Sequence, residues 1–269
     1  MKLSKAQRKA HNQAEELLKK DELTFDEKYF VLENWLPGAN HDIGSAGVFF
    51  TPREMAYNFC IEVSKGNIID LCAGIGMLSF QLHRFHQGNT KLTCIERNEE
   101  FVRVGKKVLP EATWICGDVL SEELVKSLGQ FDCAISNPPF GNIKSHNPTK
   151  WLKYKGREFE YKVIEIGSYL ARYGVFILPQ TSCPFRISGN RHNSIYNDGN
   201  KTTKYKAFEV QTGLYLSPNM GIDLSVFKND WVGANVLCEI ALCEYELIAE
   251  EKADTNKRTT PVQGYLFND

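Results

Sequence analysis

Ile68-Ile69-Asp70-Leu71-Cys72-Ala73-Gly74-Ile75-Gly76-Met77 is an apolar run that breaks at two glycines and resumes as an amphipathic stretch. It reads as a buried strand, a tight turn and the start of a helix, the opening unit of an α/β sheet. Glycine lets the backbone turn sharply and approach a ligand closely. Dinucleotide sites repeat the glycine as G-x-G-x-x-G, but here the third position is Ser79. Instead an acid, Asp70, stands four residues before the first glycine. An acid there repels a pyrophosphate and suits a ligand with a positive amino or sulfonium group.

Outward from this unit, strand-like runs alternate with helix-like spacers. The runs are Asn67–Cys72, Lys91–Glu96, Thr113–Cys116, Phe131–Ser136 and Gly174–Pro179, then Phe208–Leu216 and Asn235–Tyr245. The first five, separated by helical spacers, imply a parallel sheet with right-handed crossovers. The last two have no evident helix between them and suit an antiparallel edge pair. Residues 5 to 35 read as helical, with an apolar face of Leu17, Leu18, Tyr29, Phe30, Leu32 and Trp35, and Pro37 to Gly47 reads as a loop. The expected organisation is a helical extension (1–46), an α/β domain (47–249) with an insertion at 181–206, and a polar tail (250–269).

Two more acids stand at strand ends. Glu96 closes the second strand, where a carboxylate accepts from ribose hydroxyls, and Asp118 follows the third, where it accepts from an adenine amino group. Acids favour turns anyway, but three in register around a G-x-G point to a cofactor. These residues resemble motifs I, II and III of the class I S-adenosylmethionine-dependent methyltransferases. The resemblance covers most of residues 47 to 246. It implies a Rossmann-like, mostly parallel seven-stranded sheet with one antiparallel strand and the cofactor at the C-terminal edge. Carried over residue by residue, it implies cofactor contacts from Asp70, Cys72, Ala73, Gly74, Gly76, Met77, Glu96, Arg97, Asp118 and Val119. No metal is expected.

The fourth strand ends in Ile135-Ser136-Asn137-Pro138-Pro139-Phe140-Gly141. This resembles motif IV of methyltransferases acting on planar amino nitrogens. The lone pair of such an amine is delocalised into its ring, so the amine is a poor nucleophile. Two fixed acceptors, the Asn137 side-chain oxygen and the Pro138 carbonyl, bind its hydrogens and favour the geometry from which it attacks. Pro138 and Pro139 restrict φ and hold that carbonyl in place. Phe140 offers a face for an extruded base, and Asn137 also borders the cofactor. The bland alternative is a Pro-Pro turn with Phe140 in the core. The motif does not separate adenine N6 from cytosine N4 or a glutamine side chain. Upstream, Phe49-Phe50-Thr51-Pro52 resembles motif X of the gamma-class N6-adenine DNA methyltransferases, which include modification subunits of type I restriction systems; it implies cofactor contacts from Thr51 and Pro52. Thr51-Pro52-Arg53-Glu54 equally reads as a capping box.

The net charge of the 269 residues is −1, yet Gly141 to Lys206 holds twelve Lys/Arg against four Asp/Glu. A local +8 on a remainder of −9 is the pattern of an anionic-ligand footprint, or of a solvated lysine-rich loop. Lys150, Lys153, Lys155, Arg157, Arg186 and Arg191 are the expected nucleic-acid contacts. Trp151, Tyr154, Phe159, Tyr161, Phe185, Tyr196 and Tyr205 interleave with them, either to stack on bases or to form helix core. His146 and His192 lie in the block without an assigned role. The expected reaction is N6-adenine methylation in DNA. The alternative is ribosomal or other structured RNA, because no large target-recognition domain fits and Asn-Pro-Pro-Phe-Gly also resembles adenine-N6 methyltransferases of ribosomal RNA. Near the end, Gln263-x-x-Leu266-Phe267 resembles the pentapeptide by which bacterial replication and repair proteins bind the sliding clamp. The charged start is unlike a secretory signal and the eight cysteines lack metal-ligand spacing. Cys72, Cys94, Cys116 and Cys133 sit in apolar runs as buried thiols, so the expected location is the cytoplasm.

Overall fold

The computed structural model describes residues 4–36, 50–143, 147, 149–190, 202–231 and 236–245. Its strands are β1 Asn67–Asp70, β2 Lys91–Glu96, β3 Thr113–Cys116, β4 Phe131–Ser136, β5 Ala171–Pro179, β6 Ser217–Pro218 and β7 Cys238–Glu244. They form one sheet in the order β3-β2-β1-β4-β5-β7-β6. The first five pair in parallel, and β7 runs antiparallel to both β5 and β6. This is the expected Rossmann-like, mostly parallel sheet with one antiparallel strand. From β1 the chain winds one way to β2 and β3 and the other way to β4 and β5. The C-terminal edge between β1 and β4 is therefore the switch point at which such sheets bind ligands.

Successive residues of each inner strand point to opposite faces, and both faces are apolar. Ile68, Ile135, Val175, Ile177 and Ile240 pack on one side. Ile69, Ala134, Phe176, Leu178 and Ala241 pack on the other. The first layer holds α3 Arg53–Phe59, α4 Met77–Phe85 and α5 Glu99–Val108, and the second holds α6 Glu122–Ser127, α7 Phe159–Leu170 and α8 Thr203–Thr212. The N-terminal stretch is two helices, α1 Lys5–Leu18 and α2 Phe25–Asn34, because Ser4–Gln7 and Thr24–Glu27 each form a capping box. Their apolar faces share the first layer's core: Leu18, Tyr29, Leu32 and Trp35 are buried with Phe101. Among the described residues no helix is long and apolar enough to cross a membrane.

Two expectations need correction. Phe208–Leu216 is not a strand. Its alternating apolar residues mimic a period of two, but the Thr202 hydroxyl caps α8 and Gly213 closes it at φ +69°. At helical spacing Tyr205, Phe208 and Thr212 are buried while Val210 is 83% exposed. Only Ser217 and Pro218 remain to pair with β7. Secondly, Cys116 is exposed and Cys72 half-buried, unlike the buried Cys94 and Cys133.

Candidate active site

The glycine turn sits on β1. Gly74 and Gly76 adopt φ +57° and +96°, in the range that favours glycine, and the Gly76 N–H closes the turn on the Ala73 carbonyl at 2.8 Å. A Cβ on Gly74 would lie 3.5 Å from the Phe50 ring, beside a cleft that both residues line. A Cβ on Gly76 would lie 3.1 Å from the Trp114 ring, under the turn. Gly76 and buried Ala73 thus shape the turn from within, while Gly74 and Cys72 border the cleft.

The three acids take different stations. The Glu96 carboxylate accepts from the Gly74 N–H (3.0 Å) and the Asn98 N–H (2.8 Å) at the cleft wall, and desolvation raises its pKa despite these bonds. Asp118 lines the same cleft and accepts from the Leu120 N–H at 2.9 Å; Arg97 and Val119 line it beside them. Asp70 is wholly buried behind the turn and does not border the cleft. One of its oxygens accepts from the Ser79 hydroxyl at 2.8 Å, and the other finds no partner among the described residues. Burial pushes its carboxyl up to about 7, against the opposing pull of the Ser79 bond.

Opposite the glycine turn, β4 delivers Asn137, Pro138, Pro139 and Phe140 to the cleft. The Asn137 amide nitrogen donates to the Thr51 hydroxyl at 2.8 Å. This contact sets the amide's orientation, and no spacing in the sequence indicates it. It leaves Oδ1 buried and without a partner among the described residues. A buried acceptor of this kind is costly unless something donates to it. The capping-box reading of Thr51 is corrected by the same geometry: Pro52 is extended (φ −59°, ψ 144°), so α3 starts at Arg53 without a side-chain cap. Thr51 and Pro52 also border a second recess, with Met77 on its wall.

Sequence reasoning missed Glu160. Its carboxylate, 1% exposed, accepts from the Gly141 N–H at 2.8 Å and so holds the residue after Phe140. No spacing rule flags it, since it reads as an ordinary acid in the first turn of a helix.

Lys150, Lys153, Lys155, Arg157 and Arg186 are exposed. The Lys155 ammonium, however, donates to the Lys150 carbonyl at 2.9 Å and also to that of Leu152, which ties it to its own turn. The interleaved rings mostly form core. Tyr154, Phe159, Tyr161, Phe185 and Tyr205 are buried, and Tyr161 stacks on Phe208 with centroids 4.7 Å apart. The base-stacking option is therefore closed to Tyr154, Tyr161, Phe185 and Tyr205, while Phe159 lines the cleft beside Phe140. Trp151 is half-buried and donates to the Leu120 carbonyl at 3.2 Å. Arg191, Tyr196, His146, His192, Phe49, Pro37 to Gly47 and the tail with Gln263, Leu266 and Phe267 lie outside the described residues.

Residues 53–152 match the family model described as the methyltransferase small domain. No curated protein matches the chain in sequence. Among solved structures, the chain resembles a protein of Listeria monocytogenes described as a class I S-adenosylmethionine-dependent methyltransferase (TM-score 0.57, 14% identity, covering 90% of this chain and 81% of that one). It also resembles the methyltransferase subunit of a type I restriction-modification system from Streptococcus thermophilus (0.55, 15%, covering 81% and 48%). A third likeness is to the M protein of the type I restriction enzyme EcoKI (0.51, 11%, covering 88% and 53%). At these identities the likeness is one of fold. The fold is that of the class I methyltransferases, residues 53–152 match the methyltransferase small domain, and S-adenosylmethionine is the cofactor that goes with this fold.

Proposed function

We propose that this protein methylates the N6 amine of adenine in a nucleic acid, with DNA as the substrate. The observation that carries the reading is the Asn137 Oδ1 atom, buried at the cleft wall, with its amide oriented by Thr51 and no donor to Oδ1 among the described residues. An exocyclic amine brings two N–H donors; Oδ1 accepts one and the Pro138 carbonyl the other. Bound this way, the amine is held towards pyramidal geometry, which frees its lone pair for attack. Phe140, half-buried at the same wall, supplies a face for the base.

S-adenosylmethionine supplies a methyl group bound to a positive sulfonium. On this reading Gly74 lets it approach the backbone, Glu96 accepts from its ribose hydroxyls and Asp118 from its adenine amino group. Asp70 contributes negative potential through the turn rather than a direct contact. Cys72, Arg97, Val119 and Thr51 complete the wall. The methylated nitrogen is an ammonium that sheds its proton to water, so no general base is required.

The preference for adenine in DNA rests on the order of the motifs, with Phe50-Thr51-Pro52 preceding the glycine turn. The fold likeness to two type I restriction subunits is consistent with it, although this chain spans about half the length of each. We further propose that Gln263, Leu266 and Phe267 dock on the bacterial sliding clamp; a labelled tail peptide that does not bind purified clamp ends that reading. For the main reading, the protein is incubated with methyl-labelled S-adenosylmethionine and DNA or ribosomal RNA, and the products are digested to nucleosides for mass spectrometry. Label in N6-methyldeoxyadenosine is expected. Label in N6-methyladenosine transfers the reading to RNA, and label in N4-methylcytosine or protein overturns it.

A further inference from the structure

We propose that Glu160 is a positioning residue for the Asn137–Phe140 loop, gripping Gly141 and linking it through Ser182 to Lys204 on α8. The proposal rests on the methyl-transfer reading of that loop. Gly141 follows Phe140 at φ +81°, and a Cβ there would meet nothing within 4 Å. The glycine is therefore needed for its conformation, not for space. That conformation is held from both sides. The Gly141 N–H donates to Glu160 Oε2 at 2.8 Å, and the Gly141 carbonyl accepts from the Phe159 N–H at 2.8 Å. Both partners are the first two residues of α7, where the helix N-terminus favours a carboxylate. The Gly141 N–H belongs to the same planar peptide as the Phe140 carbonyl, so fixing one fixes the other, and with it the base of the Phe140 ring.

The other oxygen of Glu160 accepts from the Ser182 hydroxyl at 2.8 Å. Ser182, itself fully buried, accepts from the Lys204 ammonium at 3.1 Å. Ser182 follows β5, the neighbour of β4, and Lys204 lies in the first turn of α8. The chain Gly141–Glu160–Ser182–Lys204 thus joins the loop that holds the target amine to the basic segment 181–206. Where α8 sits decides where Phe140 points. A buried carboxylate needs its donors, and here each oxygen has one supplied by a different loop.

The test compares Glu160→Ala, Glu160→Gln and Ser182→Ala in the full chain. Hydrogen exchange is read by mass spectrometry over residues 137–143, and steady-state kinetics are read with the nucleic-acid substrate. Glutamine keeps an acceptor for the Gly141 N–H, whereas its amide nitrogen faces Ser182 as a donor and requires the serine hydroxyl to turn its proton away. Glu160→Ala is therefore expected to speed exchange over 137–143, leave β1 and β2 unchanged, and lower kcat ten- to hundredfold with an unchanged KM for S-adenosylmethionine. Glu160→Gln should restore most of both readouts, and Ser182→Ala should fall between. If alanine and glutamine variants behave alike, or exchange over 137–143 does not move, the proposal is overturned. Should Glu160→Ala fail to fold, the order wild type, Glu160→Gln, Ser182→Ala still decides it. If wild type methylates no nucleic acid, the proposed function fails, while the exchange measurement, which needs no substrate, still judges Glu160.

Discussion

Asp70 shows how burial changes what an acid does. In the unfolded chain it ionises near 4; in the folded protein, desolvation behind the glycine turn lifts it to about 7. The folded state therefore holds its proton more tightly than the unfolded state. Stability from this group is fully present below pH 4 and is lost progressively as pH rises towards 7. At about 1.4 kcal/mol per unit, the loss is on the order of 4 kcal/mol above pH 7. Asp70→Asn is isosteric and does not ionise, so its melting temperature should exceed that of wild type at pH 8 and converge with it near pH 4. A difference that does not vary with pH would mean that Asp70 does not titrate. The same substitution should weaken S-adenosylmethionine binding at pH 8, because the negative potential behind the turn is gone.

The elements were legible to different degrees, for physical reasons. β1, β2, β4 and β5 are buried on both faces along most of their length, so each is a short apolar run between turn residues, a pattern visible in one dimension, whereas β3 at the sheet edge, with Thr113 and Cys116 exposed, is marked only by Trp114 and Ile115. The C-terminal acids of β1 and β2 were visible for the same reason. α8 was not, since its polar and apolar residues alternate as a half-buried strand would and only tertiary packing selects the helix. Nor was the Thr51–Asn137 bond, which joins residues 86 apart along the chain. The glycine turn was legible as a turn, but not the direction of each glycine. That direction makes a prediction. Gly76→Ala places a Cβ 3.1 Å from Trp114 at φ +96°. It should cost about 1–2 kcal/mol of stability and lower the melting temperature by several degrees. Gly74→Ala meets only an ordinary contact with Phe50 but stands at φ +57°, so it should carry a similar backbone cost and in addition cut cofactor affinity at least tenfold, measured by calorimetry. The reverse pattern would place the cofactor on the Gly76 side of the turn.

Across the whole molecule, the charge asymmetry read from sequence reaches the surface. Lys150, Lys153, Lys155 and Arg157 are all exposed, but the Lys155 ammonium is also held by the carbonyls of its own turn. Replacing Lys150, Lys153 and Arg157 with glutamine should weaken nucleic-acid binding and reduce the slope of log affinity against log salt by about 2–3, as fewer counterions are released. Lys155→Gln should in addition lower the melting temperature. An unaltered slope in the triple variant would move the binding face elsewhere. All of this serves one point on the sheet edge, where β4 presents Asn137 to the cleft with its amide turned by Thr51. Single-turnover methyl transfer by Asn137→Ala, with cofactor affinity measured in parallel, addresses it directly. Loss of one positioned acceptor should slow transfer by about 10²–10³-fold, roughly 2.7–4 kcal/mol, by analogy with the loss of an oxyanion-hole donor. Cofactor affinity should stay near that of wild type. Transfer at the wild-type rate, or a loss explained entirely by cofactor release, would contradict the account.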